Sequence, residues 1–233
     1  MKRRYVLEIS VESAETAMAA ERGGADRIEL CSNLREGGTT PGAELRRAAR
    51  AQLRVPIFSM IRPRAGDFVY SESEFDEMAR EIGAAKDCGM DGVVLGMLDA
   101  QGSVKVKHTK RLVDLARPLP VTFHRAFDAC ADLKRSLEDV IKTGAVRLLT
   151  SGGKPTASEA LEVLGELVEK AGGRIVVMPG SGVHAGNIGE VVRKTRAREY
   201  HAGLSSVARQ PAQNLQAFEE AVRQLAAALA SSD

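Results

Sequence analysis

Four residues with ionisable side chains lie at or near the ends of short apolar segments of this chain. Glu8 interrupts an apolar run near the N-terminus, Glu29 lies in "RIELC", and His124 and His201 lie in "VTFH" and "EYHAG". Carboxylates and imidazoles are the groups that acid/base catalysis uses, and imidazole titrates near neutral pH. The same groups also suit Zn or Mn ions, so the residue types alone leave both chemistries open.

His124 stands in the stretch "FHRAFD" (123–128), where Arg125 and Asp128 add two charged side chains. A core imidazole bonded to backbone, a metal ligand and an acid/base catalyst are three interpretations that the residues leave open. Because Asp128 follows in the same stretch, we count it among the catalytic candidates. The full catalytic set is Glu8, Glu29, His124, Asp128 and His201.

These candidates need a scaffold, and the chain alternates short β-branched or aliphatic runs with segments of helical period. The sequence predicts eight strands, at 5–9, 27–30, 55–61, 92–96, 121–124, 147–150, 174–178 and 199–203. Eight βα units in 233 residues, without a linker or a shift of composition, predict a single (β/α)8 TIM barrel over residues 1–233. A doubly wound open sheet is the alternative.

Alternate side chains of a barrel strand face the helices and the barrel interior. In "RIELC", Ile28 and Leu30 take the helix-facing parity, so the residues between and beside them point inward. The inward residues that this rule predicts include Val6, Glu8, Ser10, Arg27, Glu29, Cys31, Thr122, His124, Glu199 and His201.

Barrel closure sets the eighth strand beside the first, which places some of these inward residues close together. We expect Glu8, Glu29 and His201 to form a polar arc near the C-terminal strand ends, with His124 facing the arc from the fifth strand. Loops at that end of the barrel build the active sites of characterised TIM-barrel enzymes.

The loops at the same end carry groups suited to an anion. Arg62 and Arg64 flank Pro63, and their guanidinium groups either clamp a phosphate or carboxylate or neutralise Glu8 and Glu29. The glycine-bearing loops "TSGGKPT" (150–156) and "PGSGVHAGN" (179–187) place backbone N–H groups near helix starts, where an anion is favoured. The predicted anion-binding residues are Arg62, Arg64, Arg125, Ser151, Gly152, Gly180 and Gly182.

Composition narrows the classes of partner. A net charge of +2, nine aromatic residues and no Trp argue against nucleic-acid binding. No apolar run approaches the roughly 20 residues that span a bilayer. Cys31, Cys88 and Cys130 are odd in number and form no C-x-x-C pair, which indicates a reducing compartment. We therefore expect a cytoplasmic protein that binds a small molecule or a metal ion, with a homodimer as the expected assembly.

Five stretches of the chain resemble the signature blocks of the CutC family, which is linked by name to copper homeostasis. These stretches are "ERGGADRIELCSNLREGGTTPG", "MIRPRAGDFVYS", "PLPVTFHRAFD", "LLTSGG" and "RIVVMPGSGV". The resemblance implies a cytoplasmic TIM barrel and a copper(I) site formed by two cysteines. Cys31 matches one of them, whereas Ser10 stands where the other would fall. After the eighth strand, the chain also enters its last helix sooner than family members do.

Two functions therefore follow from the sequence. The resemblance predicts a copper homeostasis protein that binds Cu(I) through Cys31, since Cu(I) prefers soft thiolate and thioether ligands. The inward polar residues instead predict an enzyme that acts on a small phosphate- or carboxylate-bearing metabolite by acid/base chemistry at the barrel rim.

Overall fold

A computed structural model describes residues 5–204 and 214–232 of the chain, and it confirms the predicted (β/α)8 TIM barrel. The strands are Val6–Val11 (β1), Arg27–Leu30 (β2), Ile57–Met60 (β3), Gly92–Leu95 (β4), Val121–Phe123 (β5), Arg147–Thr150 (β6), Val176–Pro179 (β7) and Glu199–Ala202 (β8). The helices are Ala14–Gly23 (α1), Ala43–Gln52 (α2), Glu72–Asp87 (α3), Val106–Ala116 (α4), Leu133–Thr143 (α5), Leu161–Ala171 (α6), Ile188–Thr195 (α7) and Leu215–Ala230 (α8).

All the strand pairs are parallel, in the order β7-β6-β5-β4-β3-β2-β1-β8. Because β1 pairs with both β2 and β8, β8 forms one end of this order and β7 forms the other. These two end strands lie in contact, which brings the sheet round into a barrel. Among the described residues, no ladder of backbone hydrogen bonds joins β7 to β8.

The apolar core lies between the strands and the surrounding helices. Ile28, Leu30 and Tyr200 are fully buried there, as their helix-facing parity predicts. Helix starts are specified locally, since Ser71 and Glu74 form the reciprocal capping box of α3. This outer core fixes which strand residues turn inward.

Nine residues of the segment after β8, 205–213, lie outside the described part of the chain. The predicted shortening of this segment relative to the CutC family falls there. None of the helices described is both long and apolar enough to cross a membrane.

Candidate functional site

A cavity of about 430 Å³ opens at the C-terminal end of the barrel. Its wall is formed by inward side chains of the strands and by the loops that follow them. Among the predicted site residues, the cavity is lined by Glu29, Arg62, His124, Arg125, Gly182 and His201. The structure thus brings Glu29 and His201 of the predicted polar arc to one cavity with His124, while Glu8 is buried and does not line it.

The arc is a contiguous set of three side chains. His201 Nδ1 lies 2.8 Å from Glu8 Oε1, and His201 Nε2 lies 3.8 Å from Glu29 Oε2. The register explains this arrangement, because Glu8 pairs with His201 across β1 and β8, and Glu29 lies on the neighbouring strand β2. Although burial opposes a charged ring, the two carboxylates outweigh it and raise the pKa of His201.

Glu8 and Glu29 are both buried, yet their pKa values move in opposite directions. Burial opposes ionisation of Glu8, but the charge of Arg27 and the contact with His201 lower its pKa to about 2. Burial dominates at Glu29 and raises its pKa to about 7, with Glu8 adding to the rise. Glu29 Oε1 is buried and has no hydrogen-bond partner among the described residues. Glu29 is therefore poised to exchange a proton near neutral pH.

The partner of Glu8 is Arg27, so the predicted alternative in which Arg62 and Arg64 neutralise Glu8 and Glu29 is wrong. Arg27 donates through Nε to Glu8 and through Nη2 to Glu199 Oε2 at 2.6 Å. Arg147 donates to the same Glu199 oxygen at 2.6 Å.

The ring of Phe58 lies against the guanidinium groups of Arg27 and Arg147, at 5.1 and 5.2 Å from its centroid. The buried charges of Arg27 and Arg147 are thus paired with those of Glu8 and Glu199 below the cavity. Strand parity predicts that Arg27 and Glu199 point inward. It also applies to Arg147, the first residue of "RLLT", which is not among the predicted inward residues.

His124 lines the cavity, and its ring is bonded to the backbone. His124 Nδ1 accepts the backbone N–H of Ala126 at 3.2 Å and caps the short 3-10 helix Arg125–Ala129. Burial, helped by the positive charge of Arg62, lowers the pKa of His124 to about 3. Its ring is therefore neutral near neutral pH, and a role as a titrating acid or base does not suit it.

Asp128, a predicted catalytic residue, holds the loop after β6. Its carboxylate accepts the backbone N–H groups of Ser151 and Gly153 and the hydroxyl groups of Thr150 and Ser151. It also pairs with Arg125 at 2.9 Å. Because its oxygens are committed to these donors, Asp128 serves the shape of the loop rather than proton transfer.

The two arginines of the predicted clamp point in different directions. Arg62 is buried at the cavity, where Nη1 donates to the carbonyl oxygens of Glu36 and Gly38 and Nη2 donates to that of Gly66. Arg64 turns away and pairs with Asp67 and Glu74, so it does not line the cavity. Carbonyl oxygens hold the Arg62 guanidinium without neutralising its charge, so of the two arginines it is Arg62 that brings a positive charge to the cavity wall.

Of the two glycine-bearing loops, only the one after β7 reaches the cavity. Gly182 lines the cavity, and both it and Ser181 adopt left-handed backbone, with φ of +68° and +74°. Gly180 instead permits close packing, because a Cβ there would lie 2.5 Å from the Leu149 side chain.

In the loop after β6, neither Ser151 nor Gly152 lines the cavity. Ser151 is buried against Asp128, and a Cβ on Gly152 would meet Ala160 at 2.6 Å. The predicted anion contacts of Ser151, Gly152 and Gly180 are therefore not provided by the structure.

Cys31 is the soft ligand that the family resemblance predicts. Its thiol is fully buried beside Phe58 and Met60 and donates to Glu29 Oε2 at 3.6 Å. Burial, and then the charge of Glu29, raise the pKa of Cys31 well above its usual range, which disfavours the thiolate that a metal needs. With Ser10 at the second position, the donor set does not fit a two-thiolate Cu(I) site.

Glu8, Glu29 and His201 also offer ligand atoms within 4.8 Å of one another, a spacing that could hold a metal ion. Oxygen and nitrogen donors suit a harder ion than Cu(I). Arg27 and His201 already engage Glu8, and the raised pKa of His201 favours a protonated ring, which cannot ligate. These contacts favour a hydrogen-bonded network over metal ligation.

The fold and the polar cavity define a TIM-barrel protein with its site at the C-terminal ends of the strands, and comparison gives the family. The CutC family model matches residues 5–206. A CutC family protein of Chromobacterium violaceum is 48% identical over 197 residues, covering 84% of this chain and 80% of the relative.

The human protein named copper homeostasis protein cutC homolog is 45% identical over 202 residues, covering 87% of this chain and 74% of its own. The crystal structure of CutC from Streptococcus agalactiae superposes with a TM-score of 0.81 at 31% identity, covering 85% of this chain and 98% of that one. This chain belongs to the CutC family, as its signature blocks predict.

Proposed function

We propose that this CutC family member binds a small phosphate- or carboxylate-bearing metabolite in the cavity and transforms it by acid/base chemistry on Glu29 and His201. The observation that carries the proposal is the buried Glu29 carboxylate, with one oxygen unpaired and the imidazole of His201 beside it. A buried polar atom without a partner costs about 1–3 kcal/mol, so its retention in a cavity wall suits a ligand that completes it.

Positive charge at the cavity supports an anionic ligand. Arg62 is only 4% exposed, and no carboxylate contacts it among the described residues. After burial, the charge of Arg62 is the second cause that lowers the pKa of His124, which lines the same cavity. Arg125, which is ion-paired with Asp128, also lines the cavity, as does the turn at Ser181 and Gly182 with its left-handed backbone.

The anion site is tested by titrating the protein with inorganic phosphate and with 2-phosphoglycolate in a calorimeter. We expect Arg62→Met to weaken binding of 2-phosphoglycolate by about tenfold or more, because a charge-assisted contact contributes about 1.5–3 kcal/mol. Arg62→Lys retains the charge and should recover part of this loss. Arg64→Met is the matched control, since Arg64 follows on the same loop but points away. Equal binding by wild type and Arg62→Met would remove the proposed anion site.

The acid/base step is tested in D2O with a panel of small phosphorylated and carboxylated metabolites followed by NMR. We expect wild type to catalyse deuterium incorporation or product formation with at least one of them, and Glu29→Gln to abolish it. A panel on which wild type and Glu29→Gln behave alike would count against acid/base chemistry at Glu29.

Copper(I) handling is the second candidate, and the position of Cys31 in the family block favours it. Its test is competition of reduced protein with a Cu(I) chelator, bathocuproine disulfonate. Cys31→Ser should weaken binding at least tenfold, since one thiolate of the site is lost. Cys88→Ser is the control, because Cys88 caps the C-terminal end of α3 and does not belong to the apolar cluster that Cys31 forms with Phe58 and Met60. Equal Cu(I) binding by wild type and Cys31→Ser would remove this candidate.

We place either function in the cytoplasm, on the ground that Cys31, Cys88 and Cys130 are all free thiols. Fractionation of cells with an antibody to the protein tests this location. The homodimer stays a prediction, and light scattering of the purified protein measures it.

A further inference from the structure

Three buried polar atoms of cavity-lining residues have no hydrogen-bond partner among the described residues, and Nε of Arg62 is one of them. The other two belong to side chains that can take part in proton transfer. They are Oε1 of Glu29, on β2, and Nε2 of His124, which follows β5. Glu29 is 3% exposed and His124 is 4% exposed, and both residues line the cavity. One atom belongs to a carboxylate and the other to an imidazole, so the two require different things of a ligand.

The backbone fixes which nitrogen of His124 carries the proton. Nδ1 accepts the N–H of Ala126, so it holds no hydrogen in a neutral ring, and Nε2 is the N–H donor. The Phe68 ring packs against the imidazole with centroids 5.0 Å apart. Gly96 also lies against the ring, and a Cβ there would come within 2.7 Å of Nδ1. His124 is therefore a donor held in a fixed orientation.

The carboxylate of Glu29 is fixed in a complementary way. Its Oε2 accepts the thiol of Cys31 and lies near His201 Nε2, which leaves Oε1 as the free acceptor. The residues that carry this N–H donor and this carboxylate acceptor thus line the same cavity. A ligand that completes both atoms must offer an acceptor to His124 and a hydrogen to Glu29.

We infer that the cavity takes a compound with a carbonyl group and an acidic C–H bond on the neighbouring carbon, with His124 Nε2–H bound to the carbonyl oxygen and Glu29 Oε1 accepting the C–H proton. In this step the C–H bond breaks and an O–H bond forms on Glu29. The bonding pair makes a C=C bond, and the carbonyl oxygen takes the negative charge.

The hydrogen bond from His124 stabilises that oxygen as its charge develops. Where the neighbouring carbon also carries a hydroxyl group, the intermediate is an enediolate. Its hydroxyl proton then passes to the former carbonyl oxygen while Glu29 returns its proton to the former carbonyl carbon, which completes an isomerisation without an oxidant or co-reactant. The shifted pKa values fit these roles, since a neutral imidazole donates and a carboxylate titrating near 7 accepts and returns a proton. The inference rests on the proposed function and adds the substrate class and the division of labour between Glu29 and His124.

The test compares two probes that carry the same phosphate. The carboxylate of 2-phosphoglycolate imitates a planar enediolate, whereas ethyl phosphate has no carboxylate or carbonyl oxygen for His124 to bind. We expect wild type to bind 2-phosphoglycolate about 100-fold more tightly than ethyl phosphate, as a site that stabilises the charged intermediate should. His124→Leu should remove most of this preference and leave ethyl phosphate binding unchanged, and His124→Gln, which keeps an N–H donor, should restore part of it.

A preference that survives in a folded His124→Leu protein, or equal binding of the two probes by wild type, would overturn the inference while leaving the anion site intact. Failure of both probes to bind would overturn the proposed function as well, and the inference with it. Gly96→Ala displaces the ring without removing it, and it should reduce the preference in the same way. Imidazole 15N chemical shifts give a separate readout, and a proton on Nδ1 of His124 at neutral pH would contradict the assigned tautomer.

Discussion

Neighbouring carboxylates in this barrel differ in what surrounds them rather than in how deeply they are buried. Glu8 meets Arg27 and His201, which stabilise its charge, whereas Glu29 meets a thiol and keeps one oxygen unpaired. Desolvation therefore prevails at Glu29 and is overcome at Glu8. The same contrast separates a residue that supports the network from one that is available for chemistry.

The raised pKa of Glu29 makes a prediction for stability. Its pKa lies at about 7 in the folded protein against 4.5 for the free group, so the folded state keeps a proton that the unfolded chain loses over this interval. Wild-type stability should therefore fall as the pH rises from 4.5 to 7 on account of Glu29. Glu29→Gln cannot titrate, so its stability lacks this loss. The free energy of unfolding of Glu29→Gln minus that of wild type should therefore be about 1–3 kcal/mol larger at pH 8 than at pH 5.

Urea unfolding of the two proteins at both pH values measures the difference. Glu36→Gln is the control, because Glu36 lines the cavity from an exposed position. A difference between wild type and Glu29→Gln that does not change with pH would contradict a buried proton on Glu29.

Sequence reasoning placed these residues better than it assigned their partners. Strand parity correctly predicts the inward direction of Glu8, Glu29 and His201, because the period of a strand is fixed by its backbone. It does not reveal that His124 bonds to the Ala126 N–H, since this contact depends on how the chain turns after β5. Nor does it separate Arg62 from Arg64, whose directions are set by the carbonyl oxygens and carboxylates of their loop.

At the scale of elements, loops are joined to the strands beside them by single polar side chains. Asp128, in the turn after β5, accepts hydrogen bonds from Thr150, the last residue of β6, and from Ser151 and Gly153, which follow it. Arg62, after β3, binds carbonyl oxygens of the loop after β2. The loops at the cavity are therefore ordered in pairs.

Asp128→Asn tests this pairing. An amide keeps the size of the side chain, but its NH2 group cannot accept the N–H groups that the carboxylate accepts. We expect a loss of about 2–4 kcal/mol in the free energy of unfolding, because hydrogen bonds to a charged group contribute about 1.5–3 kcal/mol each and leave unsatisfied donors when lost. Thermal unfolding followed by circular dichroism gives the value.

Asp99→Asn serves as the comparison for that loss. Asp99 also accepts two backbone N–H groups, from Gln101 and Ser103, but in an exposed turn. Its replacement should cost under about 1 kcal/mol, since water can satisfy the freed donors. Similar losses in the two variants would contradict a special role for Asp128 in holding the loop after β6.

The whole molecule carries a buried layer of charge across its interior. Arg27, Arg147, Glu8 and Glu199 connect β1, β2, β6 and β8 below the cavity. Arg27→Met would leave Glu8 and Glu199 short of a partner, and we expect it to lower the free energy of unfolding by about 3–5 kcal/mol at pH 7.

The surface offers a matched arginine. Arg223 also pairs with two carboxylates, those of Glu219 and Glu220, but it is about half exposed. Arg223→Met should cost less than about 1 kcal/mol in the same urea unfolding experiment, because solvent screens exposed pairs. If Arg27→Met is as mild as Arg223→Met, the buried layer does not stabilise the barrel as described.

The fold was the most predictable property of the molecule, since eight apolar runs with one parity facing helices leave few other architectures. The charged layer could not be assigned in the same way. Arg147 contacts Glu199 from a strand 52 positions earlier in the chain. Pairs so distant in sequence depend on barrel closure and on side-chain rotamers.

The missing ladder between β7 and β8 has a consequence for motion. Side chains span this junction, since Arg147 on β6 pairs with Glu199 on β8, and Arg27 contacts the Met178 sulfur on β7. Amide protons along the facing edges of β7 and β8 should exchange with solvent deuterium faster than those of β2, which is paired on both sides. The upper end of the same junction lies between Gly180 and His201. Separation of β7 from β8 at this end would let water and ligand reach the imidazole of His201 without unfolding any helix.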